Sequence, residues 1–106
     1  MFVNLCSHQV DVYRKDGSVK SIQPSGTVAR CNITNVLLNE IDGVPIYRQV
    51  LGEVQNLPEE IPGVLLIVSK IVAQACPNRH DLLVPGSISR DSNGNPKAAQ
   101  GFSIMW

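Results

Sequence analysis

The density of turn signals constrains this chain more than any other feature of its sequence. Asp16-Gly17, Asp42-Gly43 and Asn93-Gly94 are strong two-residue turn candidates, because a type I′ hairpin turn needs positive φ at both central positions. Pro24-Ser25-Gly26, Pro62-Gly63 and Pro85-Gly86 punctuate the rest. The intervals between them are short and rich in Val, Ile, Thr and Tyr, so they read as strands. The expected strands span about 2–5, 9–14, 18–22, 27–33, 44–51, 64–68, 82–84, 87–90 and 101–105.

One segment reads as helical. Ser69 can cap a short helix over about 69–76, ending at Cys76 before Pro77 stops it. Two of its residues are β-branched, so its helicity must rest on packing. Asn35-Val36-Leu37-Leu38 is a weaker helical candidate. No repeat, low-complexity stretch or long linker divides the 106 residues, which suit a single domain over 1–106. The expectation is a β-dominated α+β domain, a compact antiparallel sheet or barrel-like roll with one helix packed on it.

Composition narrows the partners. Nine Lys and Arg balance nine Asp and Glu, whereas a nonspecific nucleic-acid binder carries a basic excess to displace counterions from phosphates. Nucleic acid is therefore disfavoured. Cys6, Cys31 and Cys76 are odd in number and scattered, which argues against a disulfide framework and for a reducing compartment. Met1-Phe2-Val3-Asn4-Leu5 lacks a basic n-region and an apolar h-region, so no signal peptide is expected. The longest apolar run, Val64 to Val68, is far short of the roughly 20 residues a membrane helix needs. A cytoplasmic setting without a membrane partner follows as the expectation.

Strand alternation singles out polar residues in apolar phase. Around 8–14, His8 shares a face with Val10 and Val12; around 44–50, Arg48 shares a face with Val44, Ile46 and Val50. An Arg buried in such a place must be paired or must line a cavity. Two readings stand. His8 and Arg48 line a pocket for an anionic ligand, or both reach solvent near strand ends, with Arg48 pairing Glu53 or Glu40. Arg30 shares its face with Val28 and Asn32 and reads as a solvated outer residue. The segment Cys76-Pro77-Asn78-Arg79-His80-Asp81 either recognises a polar ligand, with Asp81 orienting Arg79 or His80, or is ordinary turn chemistry after the helix.

Catalytic and metal motifs fall short. Cys6-x-His8 and Cys76-x-x-x-His80 lack the close paired spacing of structural zinc, so no metal or cofactor is expected. The chain has no G-x-S-x-G, P-loop or G-x-G-x-x-G. A small hydrolase would need His8 or His80 beside a Cys, Ser or carboxylate in a cleft. Tyr13, Tyr47 and Phe102 could stack a base. The apolar end Ile104-Met105-Trp106 is expected to close the sheet, to enter the core, or to form a homodimer interface.

These residues also carry a resemblance. Asn4-Leu5-Cys6-Ser7-His8-Gln9-Val10-Asp11-Val12 is similar to the N-L-T-P-H-x-V-x-V opening of a family of small phage and prophage proteins. The likeness continues through Ser25 to Arg30, Asp42 to Arg48, Leu57-Pro58, and Ile67 to Ala75. It ends with Pro77-x-Arg79, Asp81 to Gly86, Arg90-Asp91 and Gly101-Phe102. Cys6-Ser7 departs from the Thr-Pro of the pattern, so a role for a hydroxyl at the first of these positions does not carry over. The resemblance implies a setting, the bacterial host cytoplasm, and no activity. Phage proteins of this size commonly counter bacterial defence by sequestering nucleotide-derived signals or by blocking a defence protein. The combined expectation is a non-catalytic, homo-oligomeric binder of a small phosphate-bearing, nucleotide-like ligand. His8, Arg48, Arg79, His80 and Asp81 would hold the ligand and Tyr47 or Phe102 would stack on it. The alternative is an inhibitor that binds a bacterial defence protein through a surface.

Overall fold

A computed structural model describes residues 1–106. The elements are β1 (Phe2–Asn4), β2 (Val10–Tyr13), β3 (Val19–Ile22), β4 (Arg30–Ile41), β5 (Val44–Gln55), β6 (Leu65–Ile67), α1 (Lys70–Ala75), β7 (Leu82–Pro85), β8 (Ile88–Arg90), β9 (Pro96–Ala99) and β10 (Phe102–Ser103). The domain is β-dominated with one short helix, as expected.

The strands make two four-stranded sheets and one long hairpin rather than a closed roll. The first sheet runs β1-β6-β7-β10, the second β3-β2-β9-β8, and β4 pairs only with β5. The antiparallel expectation needs correction, because β1, β6 and β7 are mutually parallel neighbours and β2 pairs β9 in parallel. The β6–α1–β7 crossover is the cause. A parallel strand covered on both faces becomes a continuous apolar run. Val64 to Val68 is such a run, and Leu66, Ile67 and Val68 are fully buried.

The core gathers where α1 covers this sheet. Leu5, Ala29, Leu66, Val68, Val72, Ala73, Leu82 and Val84 form it, with Cys31, Val54 and Leu57 packed at its edge. Ser69 caps α1 by accepting a hydrogen bond from the Val72 amide at 3.4 Å. The helix then turns Val72 and Ala73 inward.

Turn chemistry fixes the hairpins. Asp42 (φ 53°) and Gly43 (φ 78°) are both left-handed, so this turn is the I′ hairpin that the sequence predicts. At the other two turns only the glycine is left-handed. There an aspartate side chain organises the loop: Asp16 accepts from the Ser18 amide, and Asp91 accepts from the amides of Asn93 and Asn95.

The sequence reading and the structure part most clearly at four places. The 27–33 segment becomes a strand only at Arg30 and continues to Ile41, so Asn35 to Leu38 is strand and not helix. The strand expected over 44–51 extends to Gln55, the one expected over 101–105 is only Phe102–Ser103, and β9 lies at Pro96–Ala99, where no strand is expected. A bulge adds one residue between Leu37 and Asn39, which breaks the two-residue alternation and explains the helical ambiguity.

The β4–β5 hairpin is the unusual part. Its base packs on α1 through Cys31 and Val54, yet every residue from 32 to 50 is exposed.

Candidate functional site

The residues flagged by the sequence fall in four places. Arg79 and Asp81 are adjacent and fully engaged. The Arg79 fork donates from Nε to Asp81 Oδ1 at 3.0 Å and from Nη2 to Asp81 Oδ2 at 2.8 Å. Nη2 also donates to the Pro58 carbonyl at 2.7 Å, and Glu60 lies 3.4 Å from Nε. Asp81 is only 6% exposed, so the pair neutralises a buried carboxylate while pinning the β5–β6 loop to the body. The hydrogen bonds to Asp81 push the Arg79 pKa up, partly offset by burial, so this guanidinium stays charged. His80 stacks on Trp106 with ring centroids 5.2 Å apart, which docks the apolar chain end on the body.

Arg48 and Tyr47 lie in the exposed part of the hairpin. Arg48 is registered opposite Val36, and Tyr47 opposite Leu37 on the other face. Arg48 forms no ion pair with Glu40 or Glu53. Phe102 packs against Phe2 at 5.4 Å in the first sheet.

His8 occupies a different setting. It lies in the loop between β1 and β2, exposed, and its imidazole makes no hydrogen bond. The loop itself is firmly held. Asn4, 1% exposed, donates through Nδ2 to the carbonyls of His8 (2.9 Å) and Ile22 (3.0 Å) and accepts the Cys6 amide on Oδ1 (2.8 Å). The Ala29 amide donates to the Leu5 carbonyl, tying the loop to the segment that enters β4.

This loop, the base of β4 and the start of α1 border an open cavity of about 440 Å³. Its floor is apolar, from Leu5, Val28, Ala29, Val68 and Ile71. Its polar lining is Ser7, His8, Arg30 and Ser69, with Cys6 and Cys31. The Arg30 side chain has neither an ion pair nor a hydrogen bond within the chain. Of the seven residues flagged by the sequence, His8 alone lines this cavity. Arg30 was read as an outer solvated residue because alternation sets it opposite Ala29 and Cys31. Only the spatial approach of the 5–9 loop turns that outer face into a wall.

Two of the three thiols are shifted upward in pKa. Burial pushes Cys6 up, and its Sγ lies 3.9 Å from the Ile67 carbonyl. Burial also pushes Cys76 up, partly offset by nearby Arg79. Neither imidazole is hydrogen-bonded to a cysteine, serine or carboxylate, and no three metal-ligating side chains come together. The cavity combines an apolar lining with two side chains, His8 and Arg30, that have no partner within the chain.

Compared with known protein families, with curated proteins and with solved structures, the chain shows no match.

Proposed function

We propose that this chain is a non-catalytic binding protein whose ligand seat is the cavity between the 5–9 loop, the base of β4 and α1. The ligand class is a small molecule with an apolar or aromatic body and one anionic group, such as a nucleotide-like phosphate ester. One observation carries the reading: His8 and Arg30, both without partners, border an apolar cavity of about 440 Å³. That volume lies within the roughly 300–1,000 Å³ of small-molecule sites, which pair apolar walls with a few placed polar groups. Arg30 would meet the anion with its planar fork, His8 would fix orientation through a ring nitrogen, and Ser7 and Ser69 would add hydroxyl contacts. The resemblance to phage proteins supplies the setting, sequestration of a host-derived signal in the bacterial cytoplasm.

Native mass spectrometry of protein purified from bacteria tests this directly. A mass excess of a few hundred daltons that disappears on denaturation supports the reading. So does binding of 5′-AMP that shifts the His8 ring resonances and weakens at least about tenfold in Arg30→Gln, the loss of one charge-assisted contact. A bare mass, together with unperturbed His8 resonances on adding 5′-AMP or inorganic phosphate, overturns it.

A second reading has its own observation. The exposed apolar hairpin and the solvated Arg48 favour a protein that acts by gripping another protein, such as a bacterial defence component. Capture of one defined host protein by the wild-type chain, lost on substitution in the hairpin and kept in Arg30→Gln, would favour it over the cavity.

A further inference from the structure

The β4–β5 hairpin cannot be explained by the chain that carries it. An isolated two-stranded hairpin is marginal in water. Here residues 32–50 have no cover, and nine large apolar side chains among them are exposed. The cross-strand register sorts these side chains into faces. Cys31 and Val54 form a pair turned toward the core, and Ile33, Asn35, Leu37, Tyr47 and Gln49 continue that inner face. The opposite, outer face carries Val36, Ile41, Val44, Ile46 and Val50, with Thr34, Asn39 and Arg48 among them. Only the base of the inner face meets the body, and beyond it Leu37 and Tyr47 are as exposed as the outer face. The outer face is the more aliphatic of the two, with five such residues.

Its charges and edges agree. Between residues 31 and 52 the only charged side chains are Glu40, Asp42 and Arg48, and none of the four lysines lies in the hairpin. Free edges in soluble proteins are ordinarily blunted by lysines, short strands or inward charges. Twelve-residue strands without lysine are built to be covered. One arginine over that length is too little for a phosphate backbone, so the occupant is another apolar protein face.

Size says how much cover is missing. The radius of gyration is 16.4 Å, against about 13 Å for a compact chain of this length. The accessible surface is 7133 Å², against about 5,800 Å² for a monomer of this mass. The excess, about 1,300 Å² per chain, doubles to about 2,600 Å² for a pair, inside the range of obligate homodimers.

We propose that a second copy of this chain covers the hairpin, the two outer faces packing against each other about a two-fold axis. The argument for a second copy over a foreign protein is permanence. A ribbon that cannot stay folded uncovered needs its partner at synthesis, and another copy is always present then. A two-fold arrangement also asks only that one patch be complementary to itself, which an aliphatic face satisfies. This inference stands apart from the cavity and does not depend on what the cavity binds.

Sedimentation velocity of the full chain at micromolar concentration tests it, with twice 11.5 kDa as the expected mass. Ile46→Lys, on the outer face, is expected to weaken association at least about a hundredfold, because it replaces a packed aliphatic side chain on each copy by a second cation near Arg48. Gln49→Lys, on the inner face, is expected to leave association within about threefold of wild type, as a change outside the interface. Because Ile46→Lys could unfold the hairpin, a mixture of isotope-labelled and unlabelled wild-type chains gives a second readout. Contacts between unlike copies should join Val36, Val44 and Ile46 methyl groups. A monomeric wild type overturns the proposal, and so does a dimer whose cross-copy contacts lie elsewhere, for instance at Trp106. A monomer that captures a different protein through the hairpin also overturns it and supports the second functional reading instead. A monomeric wild type that binds 5′-AMP is a failure of this proposal alone, and a hairpin-joined dimer that does not bind 5′-AMP is a failure of the cavity reading alone.

Discussion

Replacing Asn4 by Ala should be among the most damaging single changes outside the aliphatic core. Asn4 is 1% exposed and its amide makes three hydrogen bonds, to the His8 and Ile22 carbonyls and from the Cys6 amide. A net hydrogen bond contributes about 1 kcal/mol, and a buried group left without a partner costs more. His8 is itself exposed, so water can rescue its carbonyl and reduce that share. The expected loss is about 2–3 kcal/mol, a large fraction of the roughly 5–15 kcal/mol that stabilises a domain. Urea unfolding at one fixed protein concentration, followed by Trp106 fluorescence, measures it. Fixing the concentration matters because self-association adds to apparent stability. The midpoint should fall with the slope unchanged. Gln23→Ala is the control, since its side-chain bond to Gln9 at 2.6 Å is exposed; it should stay within about 0.5 kcal/mol of wild type. A loss below about 1 kcal/mol in Asn4→Ala would refute the view that this amide holds the loop.

Three further expectations follow from the side-chain network. Arg79→Met leaves Asp81 buried without its cation and should cost about 2–4 kcal/mol, the lower end reflecting the partly exposed arginine; Arg79→Met with Asp81→Leu should recover much of it in a double-mutant cycle, and an additive result would refute the pairing. Bonds from the Ser18 hydroxyl and amide lower the Asp16 pKa, so their stabilisation is present above the unfolded pKa and is lost as pH falls through the lower folded one. Carboxyl NMR titration should place Asp16 below the ordinary range and Ser18→Ala should bring it back; an ordinary value in wild type would refute the bond. Cys6 and Cys76, pushed up by burial, should react with iodoacetamide more slowly than a free cysteine at neutral pH, read by mass spectrometry of the alkylated peptides, and fast labelling of either would contradict their burial.

The legible parts of the fold were those with local causes. Asp42-Gly43 requires positive φ twice and obtains it, and Ser69 caps a helix that ends before Pro77. The unbroken apolar run of Val64 to Val68 became a buried parallel strand, although its parallel pairing depends on β1 and β7, which lie far away in sequence. Strand β9 was missed because it opens on Pro96, a residue that takes a strand's first position without donating to a ladder. Alternation did set Arg48 on the face of Val44, Ile46 and Val50. The further step, that an apolar face is a core face, did not carry over, because nothing in the same chain lies against it. At Arg79 the sequence suggested pairing with Asp81, but the Pro58 carbonyl and Glu60 come from the other side of β6 and leave no local signal.

The cavity and the hairpin meet at one short stretch of backbone, which gives the two proposals a common mechanical basis. Ala29 is anchored by its amide to the 5–9 loop, and Arg30 and Ile33 line the cavity from β4. Asn4 holds the opposite wall rigid through three hydrogen bonds. A ligand bridging His8 and Arg30 would therefore tie the body to the base of the hairpin, and a second copy gripping the hairpin would restrain the same base. Each event orders residues the other needs ordered, so the two should favour one another even though their contact surfaces are separate. The coupling passes through β4 and through α1, which lines the cavity and carries the hairpin base, whereas the Arg79–Asp81 pair and the His80–Trp106 stack lie outside the cavity lining and hold other segments. The polar residues nearest in sequence to the helix end thus hold the body together. On the cavity reading proposed above, recognition would fall to the less conspicuous His8 and Arg30, which come from the 5–9 loop and the first residue of β4 to line one cavity and are both unpaired.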